Sequence, residues 1–373
     1  MKSQVLLSMA GAAVMLAHPV TTVADKDVET VTPVENAGLP AILGHNGLTY
    51  RLDFDWAKVT PEQAPVINSH AMVEGKDGLL YLVTDHPKEA FLVFKKDGTF
   101  VRSFGENLNG GHGVDLIEID GVEHLIHVDC GWHFKAEGWD ASKVGGKISI
   151  LSLEGELVRE FKTPQELGKG VEGELFLPCD VAIAPNGNIL VADGYSTDMI
   201  FEYTPEGEIV NSWGGRKEGD PGTLVNAHGI SIDLTDPEKP LVWISSRDQN
   251  EIKAFTPDGE FVETIKLPGA YAGQLFIRDG KMYSAVCWSR KDGTGDRQWR
   301  SGFLVVLDAK TRKVISAPGG TEPIYKDGEL QPIHQKEKAF MHGHDLYVDS
   351  EGAIYLGEWN AERRYPTKLT PAL

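Results

Sequence analysis

The sequence predicts an all-β protein, a six-bladed β-propeller with four-stranded blades. Three observations predict it. Gly is 41 of 373 residues, above the usual roughly 7%, which favours turn-rich β structure. One pattern of short alternating strands recurs along the chain. Asp-Gly or Glu-Gly turns fall at the same place in successive copies. The clearest copies are residues 70–105, 179–214 and 228–264, with a partial copy at 344–358. Residues 112–162 fit with an insertion near Trp132–Gly145, and 273–319 fit more loosely. Between the third and fourth strands stand Lys96-Asp97-Gly98, Glu154-Gly155, Glu206-Gly207 and Asp258-Gly259. Gly accepts φ > 0 without steric cost, so these pairs close hairpins. The last unit lacks an outer strand after Leu369, and residues 48–56 are expected to supply it and close the ring, removing exposed edges.

Composition narrows the functional classes. A hydrophobic fraction of 41% is enough for a core. The net charge of −19 argues against nucleic acid, whose phosphates need a Lys/Arg surplus. Lys2 followed by the apolar run Val5–Ala17 and by Thr22-Val23-Ala24 reads as a signal peptide over residues 1–24, for which a membrane anchor is the alternative. Residues 25–45 read as a linker and 46–373 as one domain, a secreted or periplasmic monomer with no membrane insertion after cleavage. Cys130, Cys179 and Cys287 form no CxxC pair and allow at most one bridge; buried free thiols are the other reading.

Aligning the units on the first residue of the innermost strand gives His70, His112, Cys179, His228, Gly273 and His344. Inner strands line a propeller's channel, so these side chains can converge. His112, His228 and His344 lie on alternate blades, 116 residues apart in each step. Three imidazoles around an axis make an open metal site, and nitrogen ligands favour Zn²⁺ over Ca²⁺ or Mg²⁺. The structural alternative is a strand start that tolerates His as a turn residue. His70 is read as a fourth channel residue with no metal role. The ends of the second strands reach the channel mouth and carry Tyr195, Arg247, His86, Trp132 and Trp359. A Tyr beside a cation can transfer protons, and an Arg can clamp a carboxylate. Blade packing for Tyr195 and the Trp residues, and a surface ion pair for Arg247, are the structural alternatives.

At these residues the chain resembles NHL-type propellers and, among them, the lyase domain of peptidylglycine α-amidating enzymes. The resemblance covers roughly residues 65–370 and rests on VADGYSTDMIFEYTPEGEIVNSWG, on NAHGIS followed by SSRDQNEIKAF, on MHGHDLYVDSEGAIYLGE and on HGVDL. It implies zinc on His112, His228 and His344, a catalytic Tyr195 and a substrate-binding Arg247. It also implies a structural Ca²⁺ on Asp345 with the backbone of Val114 and Met72. The sequence departs from the family at His86, where the family has a second Arg, and at His342, where it has Met; both fall in the expected substrate pocket. The reaction implied is cleavage of a carbinolamide C–N bond, an N-acyl-α-hydroxyglycine giving an amide and glyoxylate, on a small or peptide-derived substrate. A metal-dependent hydrolase such as a lactonase and a non-enzymatic binding scaffold are the alternatives on the same fold.

Overall fold

Each predicted hairpin Gly closes its turn by donating its N–H three residues back: Gly98 to Lys95, Gly155 to Ser152, Gly207 to Thr204 and Gly259 to Thr256. All four have φ between +83° and +94°, the left-handed region that Gly enters without strain. The computed structural model describes residues 39–135 and 141–372. The expected signal peptide and most of the expected linker lie outside the described residues.

Among the described residues the strands form six sheets of four or five strands and two short two-stranded hairpins. The first strands are Ser69–Glu74, Gly111–Ile119, Asp180–Ile183, Ala227–Asp233, Ala270–Arg278 and Gly343–Val348. Each neighbours the first strand of the next sheet, and the sixth neighbours the first. The sheets are therefore the blades of a six-bladed β-propeller, with these strands innermost. In the sixth sheet Leu48–Asp53 pairs antiparallel with Thr367–Pro371, Leu52 opposite Leu369. Leu43–His45 extends this sheet by pairing back on Leu48–Tyr50. The boundary drawn at residue 45 thus falls inside a hairpin. Asn46-Gly47, both with positive φ, is the turn signal that marks it. No helix among the described residues is long and apolar enough to cross a membrane.

The core lies between blades, because the middle strands are buried on both faces. Ala182, Leu190, Ile200 and Trp213 of blade 3 pack on Ile230, Val242, Ile244 and Phe255 of blade 4. Burying one such side chain contributes about 1.5–3 kcal/mol. The turn glycines join this packing. A Cβ on Gly155 would meet the Phe104 ring at 2.3 Å, and one on Gly259 would meet Trp213 at 2.3 Å. Each turn therefore seats against an aromatic side chain of the preceding blade. Gly259→Ala combines the positive φ with this collision and is expected to destabilise by about 2 kcal/mol or more, read from the urea midpoint.

Blade 5 fits the repeat loosely for a visible reason. Its first two strands run on to Arg278 and Arg290, and an excursion follows in which Arg297–Gln298 pairs back on Ser289–Arg290. The insertion in blade 2 is the hairpin Trp132–Phe134 with Ala141–Lys143.

Candidate metal centre and its surroundings

The inner strands share a device that aims one side chain inward. The ladder shifts register between Ser69 and Met72, Gly111 and Val114, Ala227 and Ile230, and Gly343 and Leu346. Each shift is a β-bulge, which bends the strand and redirects a side chain. His70, His112, His228 and His344 are the first residues inside these four bulges. The following residue is a Gly in two of them, where the next strand comes close. A Cβ on Gly113 would meet Asp180 Oδ1 at 2.8 Å, and one on Gly229 would meet Gln274 Cα at 2.3 Å.

The four imidazoles converge. Ring centroids are 4.4 Å apart for His112 and His344, 4.9 Å for His112 and His228, and 4.8 Å for His228 and His344. His70 is 4.4 Å from His344 and 4.9 Å from His112. His112 Nε2 lies 3.0 Å from His344 Nε2, and His344 Nε2 lies 3.3 Å from His70 Nδ1. The group whose nitrogens come closest together is His70, His112 and His344, all within 4.8 Å of one another. His228 joins it through Tyr195, whose hydroxyl sits 2.9 Å from His112 Nε2 and 3.0 Å from His228 Nε2. His70, expected as a channel residue without a metal role, thus stands among the nitrogens that could hold an ion. The equal spacing of the other three was a true signal of convergence, and the bulge places His70 by the same rule.

This donor set fits a metal ion. A tetrahedral ion with bonds of 2.0–2.1 Å to nitrogen separates its ligand atoms by about 3.3 Å, near the 3.0 Å between His112 and His344 and the 3.3 Å between His344 and His70. Burial holds His112, His228 and His344 well below the usual imidazole range, helped by the neighbouring imidazoles and the Arg247 charge. These imidazoles are neutral at neutral pH, and the Nε2 atoms of His112 and His344 face each other at 3.0 Å, an arrangement a cation would relieve. His112 Nδ1 lies 2.6 Å from the Cys179 carbonyl, which fixes the ring.

Tyr195 is positioned by a locked loop. The Asp193 carboxylate accepts the Leu177 N–H at 2.6 Å and the Thr197 hydroxyl at 2.5 Å. Gly194 allows the Ala227 carbonyl to approach; a Cβ there would meet it at 2.1 Å. Burial raises the Tyr195 hydroxyl well above 10, and Arg247 opposes that shift. Arg247 opens a short 3₁₀ turn after the second strand of blade 4 and is buried. Its guanidinium lies 4.9 Å over the Trp288 ring, and its Nε has no hydrogen-bond partner. A buried guanidinium with an open donor has the chemistry to bind a carboxylate.

Beside Arg247 an aromatic cluster joins Trp288, Trp299, Trp359 and His342, with centroids 5.4–6.1 Å apart. The reading of His342 as a substrate-pocket group meets an obstacle. Its Nδ1 faces the carbonyls of Trp359 and Asn360, and its Nε2 accepts the Arg300 N–H, so both nitrogens are taken. Burial lowers it to about 4. Between pH 6.5 and 4 the unfolded chain binds the proton that the folded state refuses, so stability falls as pH drops through that window. The upper limit is roughly 3 kcal/mol. His342→Gln is expected to flatten this part of the urea-midpoint profile.

The structure places the remaining expected residues as follows. His86 is buried, its Nδ1 accepting the Lys88 N–H at 3.3 Å, and it stands outside the imidazole group. Trp132 lies in the blade 2 hairpin with Lys143 Nζ 5.7 Å over its ring. Met72 and Val114 sit two residues after His70 and His112, at matching positions on adjacent inner strands. Asp345 is buried with Oδ1 unpartnered, and so is Asp180, which the sequence reading missed. Burial raises both, and the two carboxylates raise Asp180 further by mutual repulsion. Two buried carboxylates with open oxygens fit a hard cation such as Ca²⁺. Asp180 could have been found as the residue after Cys179, in register with Asp345 after His344. All three cysteines are free and buried, which settles them as core thiols.

Comparisons with known proteins add relatives. No family model matches the chain. It is 26% identical over 207 residues to the peptidylglycine α-amidating monooxygenase of Rattus norvegicus, covering 52% of this chain and 18% of that protein. It is 23% identical to the peptidyl-α-hydroxyglycine α-amidating lyase 1 of Drosophila melanogaster, over 50% of this chain and 34% of the relative. The chain thus spans well under two thirds of the length of these two relatives. NHL repeat-containing protein 3 of Homo sapiens is 25% identical over 85% of this chain and 83% of its own length. Among solved structures, a gluconolactonase from Xanthomonas campestris matches with a TM-score of 0.53 at 13% identity, covering 92% of this chain and 98% of the other, a likeness of fold. The chain is a six-bladed β-propeller, with similarity to amidating enzymes and to NHL repeat-containing proteins.

Proposed function

We propose that the protein is an exported, metal-dependent lyase that cleaves the C–N bond of an N-acyl-α-hydroxyglycine, giving an amide and glyoxylate. The observation that carries this reading is the Tyr195 hydroxyl between His112 and His228, with Arg247 buried against the Trp288 ring and its charge lowering the pKa of the same imidazoles. Zn²⁺ is the ion we assign to the imidazoles and Ca²⁺ the ion for Asp345. The relatives named as amidating lyases support the reaction class. A bound divalent metal would supply Lewis-acid polarisation of the substrate's hydroxyl oxygen.

The chain's own residues do the rest. Arg247 clamps the carboxylate that becomes that of glyoxylate, and the Trp288 face holds the guanidinium flat. Tyr195, as the phenolate, takes the proton from the hydroxyl oxygen as the C=O bond forms. The C–N bond breaks, its electron pair goes to nitrogen, and the same proton passes from Tyr195 to the nitrogen as the amide leaves, which restores the phenolate. The buried imidazoles and the aromatic cluster keep water from the carbonyl carbon.

The test is glyoxylate release from an N-acyl-α-hydroxyglycine by the metal-loaded protein. Arg247→Ala is expected to raise KM about 10–100-fold, the worth of a charge-assisted contact of 1.5–3 kcal/mol. An absence of glyoxylate with metal-loaded wild type would overturn the reading.

A further inference from the structure

We propose that His70 is a fourth nitrogen ligand of the axial metal centre, and that Asp85 is the residue that orients it. This rests on the reading of the axis as a metal site. His70 is 3% exposed and Asp85 2%. His70 Nε2 lies 3.1 Å from Asp85 Oδ2, while its Nδ1 faces His344 Nε2 at 3.3 Å.

The carboxylate is itself fixed. Asp85 Oδ1 accepts the Asn68 backbone N–H at 2.9 Å, and Oδ2 accepts the Asn68 side-chain amide. Asn68 in turn accepts the Asn360 N–H of blade 6 at 2.7 Å. A carboxylate beside Nε2 keeps the proton there, so the lone pair of His70 is on Nδ1. That lone pair points to where the Nε2 atoms of His344 and His112 meet.

A metal-binding imidazole normally donates its other N–H to a carboxylate or carbonyl, which sets its tautomer and raises its basicity. His112 meets this condition through the Cys179 carbonyl. His228 and His344 do not, since their Nδ1 atoms are buried without partners. His70 is the imidazole backed by a charged acceptor. His70, His112, His228 and His344 would then hold the ion through four neutral nitrogens, and the ion would supply Lewis-acid polarisation of the substrate's oxygen.

Co²⁺ tests this, because its visible absorption reports ligand number and type. Wild type, His70→Ala, His70→Gln and Asp85→Asn are loaded with Co²⁺, with folding checked by circular dichroism. Dissociation constants are measured by chelator competition. Both His70 variants are expected to bind Co²⁺ at least 100-fold more weakly, with shifted visible bands that now respond to azide. Asp85→Asn is expected to weaken binding 10–100-fold while keeping the wild-type band pattern. Unchanged affinity and spectrum in folded His70 variants, alongside loss of Co²⁺ in His112→Ala, would overturn the fourth ligand and leave the metal site standing. A folded wild type that binds no Co²⁺ would overturn the metal site and this proposal together.

Discussion

Tyr195→Phe is expected to lower kcat for glyoxylate release by about 10²–10⁴-fold, the usual worth of a positioned proton-transfer group. The substitution removes one oxygen and leaves the ring where the locked Asp193–Thr197 loop holds it. That oxygen lies within 3.0 Å of two imidazoles, so its loss is felt at the reacting centre. KM should change little, because Arg247 and Trp288 remain. Co²⁺ affinity should stay within a few-fold of wild type, because the phenol is not among the proposed ligands. In the metal-free protein burial keeps this phenol protonated well past pH 10. A nearby divalent charge favours the phenolate and brings the group into a working range. A Tyr195→Phe variant with unaltered kcat would remove the tyrosine from the reaction.

His112→Ala should have the largest effect of any single substitution, on metal binding and turnover together. This side chain joins more partners in the cluster than any other. Its Nδ1 is held at the Cys179 carbonyl, and its Nε2 meets both His344 and Tyr195. Removing it leaves the other nitrogens without a shared centre. We expect metal affinity to drop by 10³-fold or more and glyoxylate release to reach background. Stability without metal should hold or rise, because the buried imidazoles are a cost to the fold when nothing offsets their converging lone pairs. A variant that kept full turnover would refute the assignment of the axis as the active centre.

Much of this was readable in the sequence, for physical reasons. Hairpin glycines, alternating strands and a repeated strand start are local signals, so six blades and the inner position of His112, His228 and His344 could be read directly. The bulge is not local, since its register shift depends on pairing with the second strand. Without it, nothing distinguished His70 from a passive channel residue. Asp180 was hidden because its blade carries Cys179 where the others carry His. His342 misled in the opposite direction. It lies two residues before His344, yet its nitrogens are bound by Trp359, Asn360 and Arg300, contacts that bring together distant parts of the chain. The hairpin strand Leu43–His45 was passed over as linker because three residues carry too little periodicity to announce a strand.

The most direct test of the central claim is the metal content of the purified protein, measured by inductively coupled plasma mass spectrometry beside His228→Ala. The account predicts about one transition-metal ion per chain in the wild type, with zinc the expected element, and a large loss in the variant. A folded wild type without transition metal, and a variant indistinguishable from it, would contradict the claim that these imidazoles form a metal centre.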